Sequence, residues 1–326
     1  MDNTSSLTEF LSLKPDLKYI FFGGKGGVGK TVIAGAFALH LAKKGKKVLL
    51  ASTNPVHSLS SLLGVKLEGI TQIEGIPGFS AYEIDTSQTI NRMKNEISEK
   101  IMWFLKFADI PVRADDFVET AILNPAFEES AMFENMVDLI FEDRFEVYVF
   151  DTAPTANARR LLGMSKVYTL WVNKMLESRK EASSLRKMLS FRKKEEKDPL
   201  MEYLLSFQNR IQRAKHLLSN PDLTSFFFVT LPEALPIAVV RRFIEWFREF
   251  GIPVGGIIVN EVIDIPEDAD ISNFVLNRVR MQKEYLGQIH QEFRDVRAIV
   301  PLFEKEVRGI EMLERVSCSL FKNTNP

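Results

Sequence analysis

Short, uninterrupted apolar runs alternate along the chain with longer segments in which apolar residues recur at helical spacing. The apolar runs predict strands at residues 19–22, 47–52, 79–84, 146–151, 225–230, 254–260 and 296–300. Strands that are apolar at every position are buried on both faces, and strands separated by helices usually pair in parallel. The pattern therefore predicts an α/β fold with a doubly wound, mainly parallel sheet.

Two long intervals, residues 86–144 and 161–222, contain little strand pattern and are typical of helices. We interpret them as one all-helical subdomain inserted into the sheet domain. The predicted sheet domain comprises residues 1–85, 145–163 and 221–326. The predicted insertion comprises residues 86–144 and 164–220.

The inserted subdomain is rich in methionine and contains an unbroken apolar stretch. Eight of the 11 methionines lie between Met93 and Met201, and residues 101–105 read Ile-Met-Trp-Phe-Leu. Methionine is flexible and polarisable, and it is frequent on surfaces that accept varied apolar partners. The insertion either binds an apolar partner or forms an ordinary buried helical core, and the sequence leaves both interpretations open.

Composition and charge narrow the class of partner. The 326 residues include 42 basic and 43 acidic side chains, which leaves a net charge of −1. We therefore expect no nucleic-acid partner. No segment resembles an export signal or a membrane span, and the single cysteine, Cys318, allows no intrachain disulfide and no CxxC pair. These features predict a cytoplasmic protein that is not an integral membrane protein.

The most specific motif is GKGGVGKT at residues 24–31, which matches G-x-x-x-x-G-K-[ST] between a predicted strand and a helix predicted at about residues 30–44. The glycines allow backbone N–H groups to surround a phosphate, Lys30 neutralises the phosphate, and Thr31 is suited to bind Mg²⁺. Asp151 ends another apolar strand, where a carboxylate reaches the water shell of that metal. The residues predicted from these two motifs to bind ATP and Mg²⁺ are Gly24, Lys25, Gly26, Gly27, Val28, Gly29, Lys30, Thr31 and Asp151.

Three motifs resemble those of the arsenite-pump ATPase (ArsA) family: GGKGGVGKT at residues 23–31, STNPVHSLSSLLG at 52–64 and FDTAPTANARRLL at 150–162. Three shorter segments agree with the family, namely LPEAL at 231–235, IIVNE at 257–261 and PLFEKEVRG at 301–309. The resemblance thus extends over residues 18–313. Within the family, the chain most resembles the guided-entry ATPases that target tail-anchored membrane proteins, in the archaeal type that lacks a CxxC zinc clasp.

The resemblance implies a P-loop NTPase fold and a cytosolic homodimer that opens and closes with ATP. It implies that Lys25 reaches the phosphates bound by the partner subunit, and that Glu233, Asn260 and Pro301 line the adenine pocket. It also implies that the helical insertion binds the transmembrane helix of a tail-anchored client. Because this chain lacks the CxxC pair that holds zinc in eukaryotic members, we expect no zinc.

The chain departs from the family in residues 52–61 and 151–160, which resemble the two switch loops of the family. Where the family reads S-T-D-P, with an aspartate that orients the attacking water, this chain has Asn54. An amide can hold a water molecule but cannot accept its proton. Ser61 stands where the family usually has an acid, and residues 151–158 read DTAPTANA in place of DTAPTGHT. We therefore expect slow or absent hydrolysis, with the catalytic roles assigned to Lys25, Lys30, Asn54 and Asp151.

Other functions are compatible with parts of this pattern. An arsenite-pump or anion-pump motor needs cysteine thiolates for its metalloid site, and the chain offers only Cys318. A partitioning ATPase of the ParA or MinD type shares the lysine-bearing phosphate loop but lacks the long helical insertions. A catalytically weak paralog that uses nucleotide only to hold a scaffold dimer is the further alternative.

Overall fold

The computed structural model of the chain describes residues 6–53, 58–84, 95, 99, 125–152, 199–265 and 272–322. The strands among these residues are β1 (Tyr19–Gly23), β2 (Val48–Ser52), β3 (Thr71–Gln72), β4 (Phe79–Glu83), β5 (Val147–Asp151), β6 (Thr224–Thr230), β7 (Val254–Val262) and β8 (Val296–Pro301). The helices are α1 (Leu7–Ser12), α2 (Lys30–Lys43), α3 (Ser58–Leu63), α4 (Pro125–Glu142), α5 (Pro199–Ser219), α6 (Ala234–Glu249), α7 (Asn273–Glu292) and α8 (Gly309–Leu320).

The eight strands form one sheet in the order β3-β4-β2-β5-β1-β6-β7-β8. Every neighbouring pair is parallel except β3 with β4. β1 therefore lies in the interior of the sheet, between β5 and β6. The α/β fold class with a mainly parallel sheet is confirmed.

The predicted strands are present, with bounds that differ by one or two residues. β7 extends two residues beyond the predicted end at Asn260, and this extension turns out to matter for the candidate site. β3 was not predicted, because it has only two residues and both retain some exposure, so that it has no apolar run. It pairs with β4 in antiparallel fashion at the edge of the sheet.

Neighbouring residues of β6 show how helices cover both faces of the sheet. Phe227 contacts Phe37 of α2, with ring centroids 5.8 Å apart. Phe226 and Phe228 instead contact Phe247 of α6, at 4.9 and 5.1 Å. Because successive side chains of a strand point to opposite faces, α2 and α6 lie on opposite sides of the sheet. The sheet is therefore doubly wound.

Helix α2 is buried along most of its length, which fixes the position of its first residue. Residues 33–39 are all buried, since α2 lies against β1, β2 and β5 and also contacts α3 and α8. Such an all-round apolar helix is typical of the interior of a layered domain. Lys30 begins the helix directly after the glycine-rich phosphate loop, residues 24–29. The burial of α2 therefore holds this loop at the end of β1.

The chain divides by contacts into two compact units, residues 1–85, 135–156 and 218–326, and residues 86–134 and 157–217. The first unit contains the whole sheet, and the second contains most of α5. The bounds of the predicted insertion stay a prediction. Among the described residues, no helix combines the length and the apolar character needed to cross a membrane.

Two methionines of the predicted insertion have described side chains. Met132 and Met136 on α4 are each only 5% exposed. Both side chains are therefore buried, as in an ordinary helical core. The other six methionines of that group and residues 101–105 lie outside the residues whose side chains are described.

Candidate nucleotide-binding site

The predicted site residues come from the carboxyl edge of the sheet, where β1, β2 and β5 end side by side. The strand register places Asp151 of β5 opposite both Phe22 of β1 and Ser52 of β2. The phosphate loop follows β1 immediately. Because β1 and α2 are both buried, the loop between them is held against Asp151. This edge is the usual location of ligand sites in open α/β sheets.

Two glycines of the loop combine a positive φ angle with a close neighbouring atom. Gly24 has a φ of +146°, and a Cβ atom there would lie 2.3 Å from the carbonyl oxygen of Val229 on β6. Gly29 has a φ of +84°, and its Cβ atom would lie 2.2 Å from Nδ2 of Asn260. A side chain at either position is therefore strained by its backbone conformation. At position 24 it would also meet backbone, whereas at position 29 it would meet the end of the Asn260 side chain.

Lys30 points back into the phosphate loop. Its Nζ atom donates a hydrogen bond of 3.0 Å to the carbonyl oxygen of Lys25, and the residue is only 9% exposed. Burial lowers the pKa of Lys30, and the nearby carboxylate of Asp151 partly opposes that shift. A buried ammonium group that points into a glycine-rich loop is a suitable partner for a phosphate anion. Lys25 itself is half-buried in the loop.

Asp151 is the buried acid of the cluster. Thr31 Oγ1 donates a hydrogen bond of 2.7 Å to Asp151 Oδ2, and Ser52 Oγ donates one of 3.2 Å to the same oxygen. Burial raises the pKa of Asp151, whereas the bond from Thr31 and the charge of Lys30 oppose the rise. Ser52 was not predicted as a site residue. Only the alignment of β2 with β5 reveals its contact with the acid.

The Thr31 and Asp151 pair fits a magnesium ion. Asp151 is 1% exposed, and a carboxylate that is buried to this degree is stabilised by a nearby cation. A hydroxyl and a carboxylate oxygen 2.7 Å apart are the hard oxygen ligands that Mg²⁺ accepts beside substrate phosphates. Thr31 would bind the ion directly, and Asp151 would hold its water shell.

The three residues predicted to line a base pocket all lie at the same edge. Asn260 of β7 is buried, and its Nδ2 donates a hydrogen bond of 3.1 Å to the carbonyl oxygen of Val28 in the phosphate loop. Glu233 precedes α6 and accepts a hydrogen bond of 3.1 Å from Nη2 of Arg278. Pro301 ends β8 and pairs with Val262. The structure thus joins Asn260 directly to the loop, whereas Glu233 is bound to a side chain that the sequence did not single out.

The structure describes only one of the two residues, Asn54 and Ser61, at which the chain departs from the family motif at residues 52–64. Asn54 lies outside the described residues. Ser61, on α3, is exposed. The start of α3 is held by Glu83, a buried acid at the end of β4, which accepts hydrogen bonds of 2.8 Å from the Leu59 amide and 2.5 Å from Ser60 Oγ. Sequence reasoning missed Glu83, because this acid lies inside the predicted strand 79–84 rather than at its end, and none of the motifs includes it.

The chain is similar in sequence to known ATPases over nearly its whole length. A family model described as "Anion-transporting ATPase" matches residues 17–322. Over 321 residues the chain is 33% identical to "ATPase ASNA1 homolog" of Dictyostelium discoideum, covering 95% of this chain and 91% of that protein. Over 316 residues it is 29% identical to "ATPase ASNA1 homolog 2" of Paramecium tetraurelia, covering 94% of each. Over 311 residues it is 30% identical to "Putative arsenical pump-driving ATPase 2" of Aquifex aeolicus, covering 92% of this chain and 98% of that protein.

Proposed function

This chain belongs to the anion-transporting ATPase (ArsA) family, and from that premise we propose that it is a cytoplasmic, homodimeric MgATPase that targets tail-anchored membrane proteins. The observation that carries the nucleotide part of the proposal is the cluster of Lys30, Thr31 and Asp151. The ammonium group turns into the loop, and the hydroxyl group contacts the buried acid at 2.7 Å. A phosphate loop with this cluster is built to hold a nucleoside triphosphate with its metal.

Different groups of the loop and of α2 bind the phosphates. Backbone N–H groups of residues 24–29 surround the anion, and α2 adds the positive end of its dipole. Lys30 exchanges its bond with the Lys25 carbonyl for bonds to phosphate oxygens. When bound, Mg²⁺ neutralises charge on the phosphates. Thr31 would bind the ion directly, and Asp151 would hold its water shell.

A binding and turnover measurement tests the nucleotide part. Titration of the purified chain with a fluorescent ATP analogue, with and without Mg²⁺, should show saturable binding that unlabelled ATP displaces. Steady-state phosphate release should be slow, because Asn54 stands where the family has an aspartate. Absence of ATP binding in the presence of Mg²⁺ would refute the proposed function.

The proposed dimer is supported by the family resemblance of the loop and by the exposure of Lys25. This lysine is partly exposed on the loop, while its carbonyl group is engaged by Lys30. Its side chain is therefore available to reach phosphates in a second subunit. Light scattering of the chain in MgATP, in MgADP and without nucleotide should give a dimer mass in MgATP. A monomer mass in all three conditions would contradict the homodimer.

The client part of the proposal rests on the resemblance and on the apolar composition of residues 101–105. A tail-anchored protein co-expressed with this chain should be recovered in a soluble complex without detergent. Trp103→Asp should reduce that recovery, while Trp246→Asp on α6, outside the insertion, should reduce it only as far as it lowers the folded fraction. Equal recovery with the wild type and Trp103→Asp would favour an ordinary helical core.

One observation favours a second function, that of an arsenical or anion pump-driving ATPase. The Aquifex aeolicus relative, 30% identical over 311 residues, carries such a name. The sole cysteine, Cys318, is exposed on α8, whereas a thiolate site for a metalloid uses several cysteines. We therefore expect phosphate release to be the same with and without arsenite. Stimulation by arsenite that Cys318→Ser abolishes would favour the pump function.

A further inference from the structure

The carboxyl end of β7 contains an irregularity beside the phosphate loop. Along β7, Val259 pairs with Ile299 and Val262 with Pro301, so that three steps on β7 match two steps on β8. The extra residue forms a β-bulge. Within it, Glu261 has a φ of +58°, a left-handed conformation that is strained for a residue with a Cβ atom. Such a conformation persists only where surrounding groups hold it.

Gln282 of α7 holds this bulge from the side. The residue is 5% exposed. Its Oε1 accepts a hydrogen bond of 2.8 Å from the Ile263 amide, and its Nε2 donates one of 3.1 Å to the Glu261 carbonyl oxygen. One side-chain amide thus satisfies a backbone donor and a backbone acceptor on either side of Val262. Without it, two partly buried backbone groups would lose their hydrogen-bond partners, which is unfavourable because these groups have already lost hydration.

Asn260 lies within the irregular part of β7, directly before Glu261. A regular strand alternates its side chains between the two faces, and an extra residue re-aims the side chains next to it. Asn260 immediately precedes Glu261, and its amide reaches the Val28 carbonyl oxygen of the phosphate loop at 3.1 Å. The same bulge is tied to β8, because the Leu302 amide donates a hydrogen bond of 2.8 Å to the Val262 carbonyl oxygen. Asn260 and the Pro301–Leu302 segment are therefore held through one backbone irregularity.

Helix α7 also reaches Glu233, the third residue predicted for the base pocket. Arg278 lies one turn before Gln282 and donates a hydrogen bond of 3.1 Å to Glu233. Burial and the negative charge of Glu233 raise the pKa of Glu261, so Glu233 and Glu261 face a common region. Two neighbouring turns of α7 thus contact the backbone behind Asn260 and the side chain of Glu233.

We infer that Gln282 is a positioning residue of the nucleotide site, which holds the β7 bulge so that Asn260 faces the base end of a nucleoside triphosphate. This inference rests on the proposed function, because it assumes that the loop binds such a nucleotide. Gln282 does not touch the nucleotide in this arrangement. It acts through the backbone of Glu261 and Ile263.

The test compares Gln282→Met with Gln288→Met. Methionine has the length of glutamine without its hydrogen bonds, and Gln288 is an exposed glutamine on the same helix. We expect Gln282→Met to weaken MgATP binding about tenfold or more, the scale of about 1.4 kcal/mol, and Gln288→Met to leave it unchanged. Binding of inorganic tripolyphosphate, which has no base, should change less than about threefold in Gln282→Met.

Two results would overturn the inference. One is a folded Gln282→Met variant that binds MgATP as the wild type does. The other is an equal loss of affinity for MgATP and tripolyphosphate, since this would assign Gln282 to the phosphate loop as a whole. If Gln282→Met does not fold, Gln282→Glu replaces it in the same two assays, with the same expected and contradicting results. Glutamate keeps the acceptor for the Ile263 amide and loses the donor to the Glu261 carbonyl oxygen. Failure of the wild type to bind MgATP would instead refute the proposed function.

Discussion

Thr31 and Asp151 come from segments 120 residues apart, and they meet at 2.7 Å beneath the phosphate loop. The contact is possible because Asp151 ends β5 beside the end of β1, while Thr31 occupies the first turn of the buried helix α2. It joins the residue expected to bind Mg²⁺ to the acid expected to hold the metal's water shell. Four predictions follow from this cluster and its surroundings.

Thr31→Val should make ATP binding less dependent on Mg²⁺. Valine matches threonine in shape but has no hydroxyl group, so the variant loses the proposed metal ligand and the donor to Asp151. We expect affinity for MgATP to fall about tenfold, while affinity for ATP in EDTA changes little. Thr8→Val, on the exposed surface of α1, serves as the control. Equal losses with and without Mg²⁺ would contradict the role of Thr31 in metal binding.

Lys30→Met should abolish most ATP binding and change the stability of the fold only slightly, because two effects oppose each other. The ammonium group is buried, and burial lowers its pKa, so an apolar replacement removes a costly charge, but it also removes the cation near Asp151. Loss of one partner from a buried charge pair typically costs 2–5 kcal/mol, and we expect a loss of affinity of about 100-fold. Titration calorimetry and thermal unfolding check the two effects. Lys44→Met at the other end of α2 should change neither.

Gly29→Ala should destabilise the protein more than Gly27→Ala does. The two glycines have nearly equal φ angles, +84° and +82°, so both substitutions carry the same backbone strain of about 1–2 kcal/mol. Only the Cβ atom at position 29 meets another group, Nδ2 of Asn260 at 2.2 Å. Displacing Asn260 breaks its bond to Val28, and we expect an additional cost of about 1–3 kcal/mol. Urea unfolding without nucleotide measures the difference. Equal losses in the free energy of unfolding would show that Asn260 moves aside without a measurable cost.

Asp151→Asn should stabilise the metal-free protein at neutral pH. Burial raises the pKa of Asp151 in the folded state, so between the ordinary and the raised pKa the folded protein binds more protons than the unfolded chain. The free energy of unfolding therefore falls as pH rises through that interval, and the loss persists above it. We expect Asp151→Asn to remove this loss, with a gain on the order of 1 kcal/mol at pH 7.

Urea unfolding in EDTA from pH 4 to pH 8 measures this effect. The exposed Asp16→Asn variant is the control and should follow the wild type. If Asp151→Asn is less stable than the wild type at pH 7, the hydrogen bonds from Thr31 and Ser52 outweigh the cost of burying the charge.

A further prediction concerns Asn54, which lies outside the described residues. Asn54→Asp should raise the rate of phosphate release about 100-fold, because a carboxylate orients the attacking water and accepts charge that an amide does not. Affinity for MgATP should stay within about threefold. Asn277→Asp, an exposed position on α7, should leave the rate unchanged. A wild type that already hydrolyses ATP rapidly, with no gain from Asn54→Asp, would show that turnover does not need the carboxylate.

Local patterns in the chain suffice to predict the phosphate loop, most of the strands and Asp151. The loop is a continuous motif whose chemistry depends on residues that are adjacent in sequence. The strands are recognisable because burial on both faces requires an apolar residue at each position. Asp151 stands out because it ends such a strand. By contrast, β3 has two residues and leaves no pattern.

The remaining part of the candidate site depends on contacts between distant segments. Ser52 begins the family motif at residues 52–64 but was given no role there, and nothing in the spacing of Glu83 and Gln282 distinguishes them. Ser52 reaches Asp151 only through the β2–β5 register. Gln282 reaches the β7 bulge only because α7 lies beside it. Glu233 was predicted from the family resemblance, but its bond to Arg278 appears only in the folded chain.

The sequence by itself therefore determined the fold class, the phosphate-binding loop and the family, because these depend on local hydrophobic pattern and on a contiguous motif. The tertiary structure decided which polar side chains support that loop: Ser52 beside Asp151, Glu83 at the start of α3 and Gln282 behind Asn260. A hydrogen bond needs its two partners within about 3 Å. Separation along the chain carries no information about that distance until the strands are in register and the helices are packed on them.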